Sequence, residues 1–555
     1  MRRGWAWGVV RGVTAYLPPP PFSVFPTILP RAPACARHCV PCRCNRLPRT
    51  ETLCRSPNRT NLKFTKLEND VKDIGLHNKI NLNPYIDGAH IPTGNKDSIP
   101  THDPATGEVL CEVPVADAAV VDRAVQSAKV ALTGIWADTT PAQRSQILYR
   151  IAQGIRANAE ELAIVESQDS GKPLREAKGD IETSARYFEY YAGMADKLQG
   201  DTIPLGKDFV SFTQHEPIGV TAHIIPWNFP LVTTTRGLAP ALAAGATAVV
   251  KPAEQTPLTA LMLGPILKEA GLPDGVVNIV CGSGATTGAP LVAHPDIAHV
   301  TFTGSVATGI NVMRSAAEHV ASVTMELGGK SPVVVLNDGD QDAALEGVMK
   351  AIFTNAGQVC SAGSRLVIEQ GCADAFIAKL RARVREMTPG RGLDDPALGP
   401  IVSQQQLQKI DGIVSASIEA GAELLEGGKI LKPDGLGGWF YAPTLLKSDH
   451  IDTPAVQEEI FGPVLTIQIA KDFDHACALA ECTSFGLVAG IYTTDFSKAM
   501  RFGRVVSAGQ IYINQYFAGG VETPFGGTKN SGFGREKGLE ALRAYFAVKT
   551  ITAKL

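Results

Sequence analysis

No stretch of this 555-residue chain approaches the roughly 20 consecutive apolar residues of a membrane-crossing helix. Runs such as the one ending before Lys251 span only a handful, so a chain without membrane spans is expected. An excess of one charge is missing as well. With 52 basic and 55 acidic residues the formal charge is -3, which provides no overall field for nucleic acid or an anionic surface. Disulfide framework spacing is absent too, since Cys111, Cys281, Cys360, Cys372, Cys477 and Cys482 are scattered. That pattern fits a reduced, cytoplasmic compartment.

Acidic residues are missing from the beginning of the chain. Arg2, Arg3, Arg11, Arg31, Arg37, Arg43, Arg46 and Arg49 all precede the first of them, Glu51, and Pro18 to Pro21 form a run. Arginine-rich, acid-free composition is that of a mitochondrial transit peptide, but the proline run would break a presequence helix. Cys35, Cys39, Cys42, Cys44 and His38 form one tight run, whereas zinc ligands come as two separated pairs around a folded knuckle. Residues 1–80 are therefore expected to be a disordered extension without a metal, and mitochondrial import is the alternative to a cytoplasmic location.

Beyond residue 80 the chain is rich in signal. The length and 45% hydrophobic content exceed what one core requires, so two or more domains are expected. Val121, Val125, Ala128 and Leu132 recur at helical spacing. Thr140-Pro141-Ala142-Gln143 opens a second helix with a capping box and a first-turn proline, and Leu148, Ile151, Ile155, Leu162 and Val165 are read as its buried stripe. Short β-rich runs at 248–250, 277–280, 300–303 and 333–336 alternate with helices, the pattern of βαβ units on a parallel sheet. Glycine-rich breaks at 427–438 and 519–532 read as surface loops near a site.

A G-x-G-x-x-G fingerprint is lacking in the expected place; GSVATG (304–309) follows the strand HVTFT instead. Gly304, Ser305 and Gly309 there would let a helix N-terminus approach a pyrophosphate, although glycine at such a turn is also common for steric reasons.

Four segments carry polar or reactive residues inside apolar, glycine-punctuated sequence: PWNFP (226–230), KPAEQTP (251–257), ELGG (326–329) and GQVCSAGSR (357–365). A cysteine thiolate can make an aldehyde carbon tetrahedral and leave a thioester after hydride loss. A carboxylate in an apolar setting can activate the water that cleaves it. An asparagine amide and a backbone N–H can hold the developing oxyanion. Cys360, Glu326 and Asn228 have these attributes. Each has a plainer reading alone: a buried small hydrophobe, a strand-end glutamate and a turn asparagine.

Together, and in this order, the segments resemble the aldehyde dehydrogenase superfamily from about Tyr85 to the C-terminus. The resemblance implies an α/β architecture. It comprises a parallel-sheet dinucleotide-binding domain (81–326), an α/β catalytic domain (327–535) and a small β oligomerisation element. That element joins a hairpin about 199–217 with a C-terminal segment (536–555), and a homodimer or homotetramer is expected. The implied chemistry is oxidation of a small-molecule aldehyde to its acid. Cys360 is the expected nucleophile, Glu326 the base, and Asn228 with the Cys360 N–H the oxyanion hole.

For the cofactor, the resemblance implies that Trp227, Lys251, Glu254, Gly284, Gly304, Ser305, Gly309, Glu459 and Phe461 line the site. Lys251 and Glu254 would hold the adenosine ribose, and a carboxylate there repels a 2'-phosphate, favouring NAD over NADP. Arg236, Phe517 and Phe525 are expected at the substrate pocket, where a guanidinium could clamp a carboxylate or be structural. Glu536 has a proton-relay role in some relatives, but the lysine that partners it there is Gly237 here. With Arg236 after PWNFP and no tryptophan in 500–555, an aromatic box for a quaternary ammonium is disfavoured. Tyr516, Phe517 and Phe525 leave room for an apolar or aromatic aldehyde. The alternatives are a CoA-acylating relative, which generally lacks the ELGG glutamate, and a catalytically silent protein on the same fold.

Overall fold

The computed structural model describes Gly75 and residues 79–555. The arginine-rich segment and its cysteine cluster lie outside the described residues, as do the targeting and zinc readings attached to them.

Five parallel strands form the centre of the first sheet. In spatial order they are Val277–Ile279, Thr247–Lys251, Val220–Ile224, Ile297–Gly304 and Ser322–Leu327. Their runs of Val, Ile and Ala are buried on both faces, as a helix-covered parallel sheet requires. Chain order reverses between Val220–Ile224 and Ile297–Gly304. In an open α/β sheet such a reversal opens a crevice outside the strands' carboxyl ends.

A second sheet holds Thr444–Lys447, Val464–Ala470, Arg365–Glu369, Pro332–Val335, Val488–Tyr492 and Gln510–Ile513, all parallel, with Glu423–Glu426 antiparallel at one edge. The chain passes from one sheet to the other across residues 328–331. It also returns once: Gly532–Phe533 adds antiparallel to Ser322–Leu327, pairing Glu326 with Gly532 and Met325 with Phe533. A loop from the end of the chain therefore lies against the ELGG strand.

Helix Pro141–Ala157 begins as its sequence indicates. Thr140 caps it and Gln143 returns the capping-box bond. It is shorter than the apolar stripe suggests. Asn158 breaks it at φ -107 and ψ 15, and Leu162 and Val165 belong to a separate helix, Ala159–Ser170. Two helices with nearly continuous phase mimic one long stripe, and only the asparagine marks the break.

Phe209–Pro217 and Phe546–Lys554 form a nine-residue antiparallel ladder from Phe546↔Pro217 to Lys554↔Phe209. Backbone bonds from Thr213 to Asp201 and from Ile203 to Ser211 complete the hairpin expected about 199–217. Of the two glycine-rich breaks, 427–438 packs on residues 104–107, whereas 519–532 reaches Glu326.

Candidate active site

Cys360 follows a rare backbone segment. Asn355, Ala356 and Gly357 all have left-handed φ values, 47°, 53° and 72°. Asparagine and glycine tolerate this region, while alanine there costs about 1–3 kcal/mol and must be held by its surroundings. At Gly357 a Cβ would stand 2.1 Å from the Gly462 carbonyl oxygen, so a side chain is excluded. The turn lifts the chain out of helix Gln341–Phe353 and presents Cys360 partly exposed.

Asn228 comes to this turn from the first sheet. It follows strand Val220–Ile224 and stands just before helix Pro230–Ala244, which starts on a proline at its first position. Its Nδ2 donates to the Gln358 carbonyl at 2.8 Å, and the Asn355 amide donates to the Asn228 carbonyl at 3.2 Å. One amide group and the N–H of the cysteine two residues on can thus serve a common anion. The sequence alone does not single out Asn355; an asparagine before Ala-Gly at a helix end is its only local sign.

Glu326 occupies the carboxyl end of strand Ser322–Leu327 and is buried. Neither carboxyl oxygen has a hydrogen-bond partner. Burial first, then the neighbouring Glu536 carboxylate, push it well above its ordinary range, with Arg236, Arg535 and Lys537 opposing. A carboxyl held this way is a base only when deprotonated, but then a strong one. The loop from the end of the chain makes the enclosure: Gly526 passes so close that a Cβ would sit 2.7 Å from Glu326 Oε1.

The two glycines of ELGG have separate steric reasons. A Cβ on Gly328 would meet Glu459 Oε2 at 2.1 Å, and one on Gly329 would meet the Cys360 carbonyl oxygen at 2.6 Å. They let the strand carrying Glu326 run directly into contact with both Glu459 and the cysteine turn. Glu459 accepts the Gly329 N–H at 2.8 Å, and burial raises its pKa to about 7. Burial likewise pushes the Cys360 thiol up to about 12; Arg236 opposes this, while Glu326, Glu459 and Glu536 add to it. As the structure stands, the thiol is neutral at physiological pH.

The remaining sequence-derived residues divide into two groups. Around the crevice of the first sheet, Lys251 ends strand Thr247–Lys251 and pairs with Glu254 at 3.1 Å. Ser305 caps helix Val306–Ala317 by accepting the Thr308 N–H. Trp227 meets the Phe461 ring edge-on at 5.2 Å, with Phe461 at a left-handed φ of 58°. An ammonium and carboxylate beside a helix N-terminus fit the ribose and pyrophosphate of a dinucleotide. Gly284 stands open, with nothing near a Cβ position. Gly304 and Gly309 do not: their Cβ positions lie 2.6 Å from the Phe302 ring and from a Leu327 methyl. Gly304 is pressed by the Phe302 ring of its own strand, and Gly309 by the packing of helix Val306–Ala317 on strand Ser322–Leu327.

The second group surrounds Phe525. Arg236, read as a possible carboxylate clamp or a structural arginine, lies in a buried ion pair with Glu536 through its Nε at 2.5 Å. Its guanidinium lies 5.5 Å and the Lys537 ammonium 5.1 Å from the Phe525 ring centre. Lys537, which carries no sequence signal, also takes a left-handed φ of 68°. At Gly237 a Cβ would strike the buried His223 ring at 2.5 Å. Phe517 stacks edge-on against Tyr516, whose hydroxyl donates to the Ser361 carbonyl at 3.0 Å beside the cysteine.

Comparison with known proteins agrees with this geometry. The model of the aldehyde dehydrogenase family matches residues 91–551. The chain is 42% identical to retinal dehydrogenase 2 of Homo sapiens over 461 residues, 82% of this chain and 88% of that protein. It is 40% identical to an aldehyde dehydrogenase of Aspergillus niger over 473 residues, 85% and 95% of the two. Among solved structures, an aldehyde dehydrogenase from Bacillus cereus in complex with NAD+ superimposes with a TM-score of 0.85 at 38% identity, covering 88% of this chain and 100% of that one. A betaine aldehyde dehydrogenase from Staphylococcus aureus, also with NAD+, gives 0.85 at 34%, covering 86% and 96%.

Proposed function

The chain belongs to the aldehyde dehydrogenase family, and on that premise we propose that it oxidises an aldehyde to its carboxylic acid with NAD, using Cys360, Glu326 and Asn228. The observation that carries the assignment is their convergence. Glu326 ends a strand whose Gly329 abuts the Cys360 carbonyl, and Asn228 is tied at 2.8 Å to Gln358.

In this reading the Cys360 thiol passes its proton to solvent water and its sulfur bonds to the aldehyde carbon, the carbonyl electron pair moving to the oxygen. The Asn228 amide and the Cys360 N–H hold the resulting oxyanion. NAD, when bound, would supply the hydride acceptor, and loss of hydride from the carbon held on Cys360 would leave a thioester there. Glu326 then takes a proton from water, the hydroxide bonds to the thioester carbon as the carbon–sulfur bond breaks, and the proton returns from Glu326 to the sulfur as the acid leaves. Lys251 and Glu254 would hold the adenosine ribose, Glu459 the nicotinamide ribose, and Trp227 and Phe461 the aromatic wall beside it. Glu326 supports hydrolysis over transfer to CoA.

Arg236 and Lys537 place two cations around Phe525, with one carboxylate, Glu536, paired to Arg236. That balance is unfavourable for a quaternary ammonium aldehyde and leaves Phe517, Phe525 and Tyr516 to contact an apolar or aromatic one. Residues 81–326 correspond to a dinucleotide-binding domain and 327–535 to a catalytic domain. The ribbon 209–217 with 546–554 is our candidate for the joint of a homodimer or homotetramer.

The test is NADH formation by wild type and Cys360→Ala across aliphatic, aromatic, carboxylated and quaternary ammonium aldehydes, with and without CoA. Activity that is independent of CoA and abolished by the substitution is expected. NADH formation by Cys360→Ala at the wild-type rate would sink the assignment.

A further inference from the structure

Behind the cysteine turn lies a buried ionic cluster that the reaction above does not use. It forms where helix Ala159–Ser170 ends and helix Leu174–Met194 begins. Lys172 and Glu166 have no exposed side-chain surface. The Lys172 ammonium meets Asp180 at 2.6 Å and Glu166 at 3.4 Å, and Thr259 donates to Glu166 at 2.8 Å. Breaking even with an apolar replacement is the usual energetic outcome for such a cluster, so stability alone does not account for it.

Two arms of the cluster reach the site. The Lys172 ammonium stands 4.4 Å over the ring of Phe229, the residue after Asn228. Glu176, in the first turn of the second helix, accepts the backbone N–H of Asn355 at 2.8 Å. Asn355 opens the left-handed segment, and its amide donates to the carbonyls of Asn228 at 3.2 Å and Gln358 at 3.4 Å. One helix corner thus grips both sides of the Asn228–Gln358 contact.

We propose that Glu176 is a positioning residue for attack on the aldehyde: through the Asn355 N–H it holds the left-handed turn so that the Asn228 amide and the Cys360 N–H converge on one oxygen. This rests on the assignment of Cys360 and Asn228 above. Burial raises the Glu176 pKa to about 7, and in either protonation state the side chain keeps a carboxyl oxygen that accepts this N–H. No other side chain accepts this N–H among the described residues. Glutamine keeps an acceptor at the same length, whereas alanine keeps none.

The experiment is rapid-mixing measurement of the first NADH turnover in the full chain, expressed per titrated active site, for Glu176→Ala, Glu176→Gln, Glu176→Met and Cys360→Ala. Glu176→Ala is expected to slow the first turnover per site about 10- to 100-fold, as small misplacements of reacting groups do. KM for NAD should be unchanged and Glu176→Gln should regain most of the rate. A merely structural role would lower the number of titratable sites and leave the rate per site untouched, which overturns the proposal. So does Glu176→Gln being as slow as Glu176→Ala. Should Glu176→Ala not fold, Glu176→Met decides, because it keeps the length and bulk of the side chain while removing the acceptor of the Asn355 N–H; a wild-type rate per site there overturns the brace. NADH formation by Cys360→Ala would instead overturn the underlying site assignment.

Discussion

Arg236 holds Glu536 in a buried ion pair at 2.5 Å, with the two side chains 10% and 5% exposed. At the next residue, Gly237, the His223 ring fills the space a side chain would need. The pair also sets the charge balance of the site: Arg236 lowers and Glu536 raises the pKa values of both Glu326 and Cys360.

Removing one partner leaves an uncompensated buried charge. Arg236→Leu is expected to destabilise the protein by about 3–5 kcal/mol, and Arg236→Leu with Glu536→Leu to recover much of the loss. Urea denaturation monitored by fluorescence measures both. A loss below about 1 kcal/mol for the single variant, on the order of an exposed pair, would contradict the burial argument.

The pH dependence has a definite sign. Glu326 is raised well above 4.5, so at mildly acidic pH it carries a proton and cannot accept one from water. Steady-state kcat is therefore expected to climb with pH along a limb well above the ordinary carboxylate range. Glu326→Gln should flatten that limb and lower kcat by about 10²–10⁴-fold, the usual weight of a general base. A burst of NADH at the first turnover should persist, because acyl formation precedes hydrolysis. A variant that loses the burst as well would assign Glu326 to the earlier step.

ELGG makes a steric prediction. Gly328→Ala places a methyl 2.1 Å from Glu459 Oε2 and must displace that carboxylate from the Gly329 N–H. If Glu459 binds the nicotinamide ribose, KM for NAD should rise about tenfold or more, on the order of one charge-assisted hydrogen bond. Isothermal titration with NAD separates this from a change in chemistry. Unaltered NAD affinity would remove Glu459 from the cofactor site.

Much of the fold and site is legible from local signals. Strand-helix alternation, the Thr140 cap and the ELGG and GQVC segments each involve neighbours in sequence. What escapes is contact over long separations. Arg236 and Glu536 are 300 positions apart, and no local pattern announces that they pair. Gly304 and Gly309 are open to two readings in sequence because packing and ligand approach demand the same small residue; the close contacts with Phe302 and Leu327 become visible only in the fold. Helix Pro141–Ala157 reads as too long because apolar periodicity carries across a break that only Asn158 marks. Glu176 and Asn355 look like ordinary helix-terminal residues until the fold brings them within 2.8 Å.

The terminal ribbon carries exposed apolar residues: Phe209, Val210, Val548 and Ile551 are 41%, 44%, 63% and 38% exposed. Val548→Glu should shift the sedimentation coefficient toward that of a monomer without altering the circular dichroism of the fold, since the side chain faces outward. An unchanged sedimentation coefficient would place the joint elsewhere.

Glu326 is enclosed by residues 525–534 and lies beside Glu536. The nascent chain delivers Glu326 roughly two hundred residues before the loop that closes over it. A chain cut ahead of residue 525 would leave Glu326 without the enclosure that Gly526 provides and would open its strand edge where Gly532–Phe533 pairs.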